Sequence, residues 1–363
     1  MPKLLLITFI DFGEMKSGSS VRPQRICEAF KKLGFEVNLL SGLQNRKRER
    51  WQRVFHKFLE IRRSLPDFCY VEPPSGPFFN FCDHLLLLYL KMKKVPIGLF
   101  YRDAYWKFAD WWHIKGIKRL FLTLMHRFDL FIFRRTCSIV YFPTKSMAAL
   151  FSLPHKCVLP PAGTDRVVPP HAPGRSALYV GGVSGFYGTD IMLEAFEILN
   201  ERMHRDIRLT VVCREKEMRH FFDGYLGRPW LEVAHASGDE ALAPYYEACD
   251  LALYPSRRDL YMDFCMPVKL FEYLSRGLPV ACTDCHETAA FVTENGFGAV
   301  AKSDPEDYAA VIVSLFDDPQ RLETMRANAV SALREGNLWE HRAQRAAREI
   351  MGAAAGSAPR SGE

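Results

Sequence analysis

The sequence has no long apolar run free of charge. Its N-terminal run at residues 4–7 ends by Asp11 without a small-residue cleavage site, so it does not resemble a signal peptide. No charge-free run reaches the ~18 residues that a membrane span needs. The sequence therefore predicts a cytoplasmic protein, either soluble or peripheral on the inner face of a membrane.

Cysteine occurs without a metal-binding pattern. The ten cysteines are scattered, and the one Cys-x-x-Cys, Cys282 to Cys285, has no second pair at zinc spacing. Buried thiols in a reducing compartment are the expectation. The sequence therefore predicts no metal site.

The common nucleotide-binding fingerprints are also missing. Residues 11–20 match neither G-x-G-x-x-G nor a Walker P-loop. They do lie between a predicted strand at 3–10 and a predicted helix at 22–33, with a second strand at 35–40. Such a βαβ unit indicates a parallel sheet, and its first loop falls where open α/β sheets bind ligands.

Charge is divided unevenly along the chain. Residues 1–165 carry 27 Lys/Arg against 13 Asp/Glu, while the remainder carries 21 against 29. The basic residues of 45–63 and 106–135 are interleaved with aromatic and aliphatic ones, which is typical of basic amphipathic helices. Such helices either lie on an anionic bilayer or pack on their own domain with a solvated basic face. No nucleic-acid motif accompanies the charge, so a nucleic-acid partner is not expected.

A proline- and glycine-rich stretch at residues 160–173 predicts a domain boundary. After it, a strand at 177–180 leads into a glycine-rich turn at 181–188 and a helix at 189–200. Such a turn either allows a diphosphate to approach the backbone amides or is a plain tight turn. We predict domains at 1–165 and 166–350, followed by a disordered tail at 351–363.

The segment from Pro267 to Val280 reads as a short helix feeding a buried strand. Pro267 suits a helix start, and Gly277 a helix end. The free N–H groups at such a start favour a phosphate. Glu272 lies about five residues further on, roughly 7 Å along the axis, where its carboxylate can accept hydrogen bonds from ribose hydroxyls. An ordinary helix with two solvated charges, Lys269 and Glu272, is the competing interpretation.

Together these features resemble the GT-B glycosyltransferases, and within them the retaining family 4. The resemblance is carried by segments between residues 160 and 345: 160–165, 179–182, 193–196, 248–256 and 267–280. It implies an α/β fold of two Rossmann-like domains facing each other across a cleft. It also implies transfer of a hexose-type sugar from a UDP- or GDP-sugar, without a divalent metal or other cofactor.

The resemblance implies particular roles for residues. The acidic C-terminal domain would hold the donor nucleotide and the basic N-terminal domain a membrane-proximal glycan or lipid-linked acceptor, as in polysaccharide biosynthesis. Catalytic candidates are Asp103 and Lys269. Donor-binding candidates are Gly181, Gly182, Arg214, Arg257, Pro267, Val268, Lys269 and Glu272. Acceptor or cleft candidates are Gly18, Ser19, Arg22 and Arg102.

Two departures from the family pattern keep alternatives open. The first Glu of the family's Glu-x7-Glu pair is replaced by Phe264, with Asp263 adjacent, and neither Gly182 nor Tyr187 supplies the family's basic pair. A catalytically silent GT-B module that binds nucleotide or a partner therefore remains an alternative. Two further alternatives are an inverting enzyme with Asp103 or Asp11 as base and a sugar-nucleotide epimerase.

Overall fold

The computed structural model describes residues 1–12, 18–108, 114–169, 174–215 and 222–354. They form two compact units: Met1–Pro161 together with Trp339–Glu363 (unit 1), and Ala162–Leu338 (unit 2). The chain passes into unit 2 within the stretch that the prolines predicted as a boundary.

Unit 1 is built on a parallel sheet. Among its described residues, six strands pair in the order β2-β1-β3-β4-β5-β6. Leu4, Leu5 and Leu6 of the inner strand β1 are fully buried, as expected for a parallel strand covered on both faces. The strands are β1 Lys3–Thr8, β2 Glu36–Leu40, β3 Phe68–Glu72, β4 Ile97–Phe100, β5 Ile139–Phe142 and β6 Lys156–Val158.

The helices that flank this sheet follow its strands in alternation. The predicted basic amphipathic segments are indeed helical, at α2 and α4. These helices are α1 Gly18–Lys32, α2 Lys47–Arg63, α3 Phe81–Met92, α4 Gly116–Thr136 and α5 Lys145–Ala149.

Unit 2 repeats the architecture. Its described strands pair in parallel in the order β12-β11-β10-β7-β8-β9. They are β7 Ser176–Val180, β8 Arg208–Val212, β9 Leu231–Ala234, β10 Leu251–Tyr254, β11 Val280–Thr283 and β12 Gly298–Ala301. The helices are α6 Thr189–Glu197, α7 Asp239–Glu247, α8 Val268–Ser275, α9 His286–Glu294, α10 Pro305–Phe316 and α11 Pro319–Gly336. Two doubly wound α/β units confirm the predicted fold class.

The last helix, α12 (Trp339–Ala354), belongs to unit 1 and not to the second domain in which the sequence analysis placed residues up to 350. Ala343, Ala346 and Ile350 are fully buried, and a Cβ added to Gly98 of β4 would lie 2.3 Å from Ile350 Cδ1. An apolar helix face can cover either sheet, so its spacing does not identify the domain. The helix also extends past the predicted start of the tail at 351; residues 355–363 lie outside the described part.

Candidate functional site

The donor residues predicted in unit 2 gather at one edge of its sheet. Strand β7 pairs with both β8 and β10, so the carboxyl ends of these three parallel strands are neighbours. Gly181 follows β7, Arg214 follows β8, Arg257 follows β10, and Pro267 leads into α8. Open parallel sheets bind ligands at this end of their strands.

The amino group of Lys269 lies against the glycine turn. A Cβ added to Gly181 would lie 2.5 Å from both Cε and Nζ of Lys269, and the Gly181 φ of +141° itself favours glycine. Lys269 Nζ lies 3.9 Å from the centroid of the Tyr179 ring, close enough for a cation–π contact. The Tyr179 hydroxyl donates a 2.6 Å hydrogen bond to the carbonyl of Gly182. Tyr179 therefore contacts both the glycine turn and the Lys269 amino group.

Helix α8 is anchored on its inner face and half-buried at Lys269 and Glu272. Leu270 and Phe271 are fully buried, and the Tyr273 hydroxyl accepts a 3.1 Å hydrogen bond from Val180 N at the end of β7. Pro267 is the N-cap and makes no side-chain capping bond, so the first N–H groups of α8 suit an anion.

Glu272 lies one turn further along α8 and is half-buried. Burial raises the pKa of the neighbouring Tyr246 well above its usual range, and the negative charge of Glu272 adds to that rise. Lys269 therefore lies against the glycine turn, while Glu272, on the same helix, lies near Tyr246 of α7.

The far end of the glycine turn packs against the segment after β10. Gly188 has a φ of +64°, and a Cβ there would lie 1.7 Å from the Pro255 carbonyl oxygen, so glycine is required. Arg257 N donates a 3.1 Å hydrogen bond to the Phe186 carbonyl. The Arg257 side chain forms an ion pair with Asp190 of α6. Arg257 is therefore at the turn, with an acidic partner beside it.

Asp263, the residue that would replace the family's missing first Glu, already has hydrogen-bond and ion-pair partners. Asp263 accepts a 2.8 Å hydrogen bond from His286 N, the first residue of α9, and forms a 3.2 Å ion pair with Arg258. Phe264 ends the short 3₁₀ helix Met262–Phe264. Asp263 thus stabilises this loop and the start of α9.

In unit 1, Arg22 and Arg102 converge on Glu72, the last residue of β3. Arg22 Nε lies 3.0 Å from Glu72 Oε1, and Arg102 Nη2 lies 3.5 Å from Glu72 Oε2. Arg22 is 3% exposed and also donates to the Tyr70 hydroxyl at 3.2 Å. Its guanidinium lies 3.3 Å from the centroid of the Phe100 ring. Arg22 is therefore a buried framework residue beneath the ends of β3 and β4.

Asp103 lines a small pocket in unit 1. Its carboxylate accepts a hydrogen bond from the Ser75 hydroxyl. Asp129 lines the same pocket and binds His84 Nε2 at 2.7 Å and Phe78 N at 2.8 Å. Asp103 is thus the acidic group placed by the loop after β4, and Asp129 comes from α4.

Gly18 and Ser19 begin α1, and nothing further is described for their side chains; residues 13–17 of the same loop lie outside the described part. Sequence reasoning missed Glu72, His84 and Asp129. Glu72 had a signal, because it ends a strand immediately before Pro73-Pro74. His84 and Asp129 are 45 positions apart, and nothing local to either predicts the pair.

Among the described residues, no group of three or more His, Cys, Asp or Glu side chains is placed to hold a metal ion. Cys282 and Cys285 are buried free thiols, and burial raises the pKa of Cys285 to about 12. That environment makes them poor metal ligands and poor nucleophiles.

The fold matches that of GT-B glycosyltransferase structures. The structure superimposes on sucrose-phosphate synthase of Thermosynechococcus elongatus with a TM-score of 0.68 at 13% identity, covering 98% of this chain and 100% of that one. It superimposes on Anabaena HepE in complex with UDP with a TM-score of 0.65 at 12% identity, covering 97% and 100%.

Sequence comparison finds a family match within the second unit. Residues 174–318 match the family described as Glycosyl transferases group 1. A D-inositol 3-phosphate glycosyltransferase of Thermobispora bispora is 29% identical over 187 residues, which cover 47% of this chain and 42% of the relative. Much of unit 2 is therefore similar to this glycosyltransferase family, and the predicted GT-B fold is confirmed by the solved structures.

Proposed function

We propose that the protein transfers a hexose-type sugar from a UDP- or GDP-sugar to a glycan or lipid-linked acceptor at a membrane. The observation that carries the proposal is the position of Lys269 Nζ against Gly181. Lys269 lies on α8, the helix that also bears Glu272. A cation, a glycine turn and a helix start without a side-chain cap suit a diphosphate, and a carboxylate one turn on suits a ribose. The HepE structure was solved with UDP.

The proposed chemistry is substitution at the anomeric carbon with retention. The bond from that carbon to the diphosphate oxygen breaks, and a bond to the acceptor oxygen forms on the same face of the sugar. The departing phosphate oxygen takes the acceptor proton, so no protein base is required. Lys269 and the start of α8 stabilise the negative charge that develops on the diphosphate, and no metal ion or other cofactor is needed.

Arg214 and Arg257 are assigned supporting positions at the same sheet edge. Arg257 is paired with Asp190, which lowers its net contribution to an anion site. Gly182 and Val268 contribute backbone rather than side-chain chemistry. The acceptor assignment draws on the basic character of the first 165 residues and on the pocket lined by Arg102 and Asp103.

Two measurements test the proposal. Thermal-shift screening against UDP, GDP, ADP and CDP should give a rise of several degrees for the preferred nucleotide. Proton NMR of the product should then show the anomeric configuration of the donor. An inverted anomer would instead favour Asp103 as a general base.

A silent nucleotide-binding module is the second candidate, because position 264 is Phe and Asp263 is engaged by Arg258 and His286. A nucleotide-dependent shift without donor consumption, across donors and lipid-linked acceptors, would favour it over the transferase. Donor consumption without any acceptor product would indicate hydrolysis or epimerisation.

A further inference from the structure

Helix α4 of unit 1 carries a continuous exposed apolar stripe. Its members recur at intervals of three or four residues, which places them within about 100° of one helix face. Ile117 is 85% exposed and Phe121 58%. The stripe consists of Ile117, Leu120, Phe121, Leu124, Phe128 and Phe131. Six large apolar side chains exposed on one face exceed the scattered exposure that is normal for a surface.

The stripe continues onto the neighbouring helix α3. The rings of Phe81 and Phe128 lie with centroids 6.2 Å apart, and Phe81 is itself 62% exposed. Leu85 follows Phe81 by one turn and is also exposed. We call this joint surface, the α4 stripe with Phe81 and Leu85, the α3–α4 face.

Exposed basic side chains border the α3–α4 face. Lys118, Arg127, Arg134 and Arg135 of α4 are exposed, and its single acidic residue, Asp129, is buried. The Arg135 guanidinium lies 3.6 Å from the centroid of the Phe131 ring. The end of α3 adds the exposed Lys91, Lys93 and Lys94. Cations around an apolar surface match the chemistry of an anionic lipid headgroup layer above acyl chains.

Helix α2, the other basic segment, has much of its charge neutralised within unit 1. Arg50 is buried and pairs with Asp83 at 2.7 Å. Arg53 pairs with Glu49, and Lys57 lies 2.7 Å from Glu60. Lys47, Arg48, Arg62 and Arg63 of α2 stay exposed, so α2 keeps only part of its basic charge for an anionic contact.

We propose that the α3–α4 face docks unit 1 onto an anionic phospholipid bilayer, with the apolar stripe inserted at the headgroup boundary. Among the described helices, none combines the length and the apolar composition of a membrane span. The inference extends the membrane-proximal acceptor of the proposed function, but docking itself needs neither donor nor acceptor.

The test is co-sedimentation of the full chain with vesicles of phosphatidylcholine alone and of phosphatidylcholine with roughly one third phosphatidylglycerol. We expect binding to the anionic vesicles only, and its loss at about 0.5 M salt because the headgroup charge is screened. The Phe121→Gln/Leu124→Gln variant should lose binding at least tenfold. Both side chains are exposed, so the fold should be retained, which circular dichroism checks.

A matched control removes exposed apolar side chains elsewhere. Met203→Gln/Leu226→Gln changes two exposed residues of unit 2 and should bind as the unchanged protein does. Arg127→Gln and Arg134→Gln should each weaken binding by about fivefold, the worth of one cation near an anionic surface. A Leu124→Trp probe should shift its emission to shorter wavelength on vesicle addition.

Equal sedimentation of the Phe121→Gln/Leu124→Gln variant and the unchanged protein would overturn the proposal. Equal binding to neutral vesicles would overturn its anionic specificity. If the unchanged protein is a dimer in sedimentation velocity and this variant a monomer, the face is an interface between two copies instead. UDP binding by the same variant reports on the donor site separately, so failure of docking is distinguishable from failure of the proposed function.

Discussion

Lys269 Nζ lies 3.9 Å from the centroid of the Tyr179 ring, and Tyr179 holds the glycine turn through the carbonyl of Gly182. The cation that α8 supplies is therefore seated by the strand that supplies the turn. Because the lysine and the turn are in contact, a substitution in either one is expected to change nucleotide affinity.

Gly181→Ala should weaken nucleotide binding at least tenfold. The new methyl group would lie 2.5 Å from Lys269 Nζ and would require a φ near +141°, so the amino group must move away. Gly185→Ala is the matched control, since a Cβ there meets nothing within 4 Å. Calorimetric titration with UDP measures both. Similar losses for the two variants would contradict the proposed position of the diphosphate.

Lys269→Met should reduce affinity for UDP but not for uridine. A hydrogen bond to a charged group contributes about 1.5–3 kcal/mol, which corresponds to roughly 10- to 100-fold in Kd. Methionine keeps an unbranched side chain, one atom shorter than that of lysine, while removing the charge. If UDP and uridine lose affinity equally, the lysine does not contact phosphate.

Glu272→Gln should weaken UDP binding roughly tenfold or more, because a charged acceptor for the ribose hydroxyls is lost. The matched ligand is 2′,3′-dideoxy-UDP, which has no ribose hydroxyls to bind. The variant should bind this analogue as the unchanged protein does. A comparable loss for both ligands would remove Glu272 from the ribose contact.

Ile350→Ala should destabilise unit 1 by about 2–5 kcal/mol, since the buried side chain packs on β4. Gly98→Ala should cost about 1–3 kcal/mol in the unchanged protein because its methyl group meets Ile350 Cδ1. In the Ile350→Ala background the same change should cost less. Urea unfolding of the four proteins gives the coupling; additive effects would mean that the two residues do not share this contact.

His126 should make unit 1 sensitive to acid. Burial lowers the pKa of His126 to about 4, and its ring stacks on Trp106 with centroids 4.8 Å apart. The unfolded chain therefore binds the proton more tightly, so stability present above pH ~6.5 is lost as the pH falls towards 4. The loss should reach about 3 kcal/mol at most.

Thermal melting of His126→Phe across that pH range is the measurement. Phenylalanine keeps the stacked ring but binds no proton. The unchanged protein should therefore lose stability relative to the variant as the pH falls. His56→Phe, at an exposed position, should leave the pH profile unchanged. A His126→Phe profile parallel to that of the unchanged protein would contradict the assignment.

The arrangement of the proposed donor site could largely be predicted from sequence, because its residues are linked by local rules. Pro267 and Gly277 bracket α8, and the glycine turn directly follows a buried strand, so parallel topology brings them to one edge. The Arg22–Glu72 and His84–Asp129 pairs could not be predicted, because each joins residues at least 45 positions apart. The basic amphipathic pattern likewise did not reveal that Arg50 is buried against Asp83.

The position of α12 has a consequence for biosynthesis. Unit 1 is interrupted after Pro161 and completed only from Trp339 onward, so unit 2 is an insertion within it. At about 5–20 residues per second, translation of the inserted segment takes roughly 10–35 s. Throughout that interval the N-terminal sheet has been synthesised, but the helix that covers β4 at Gly98 has not.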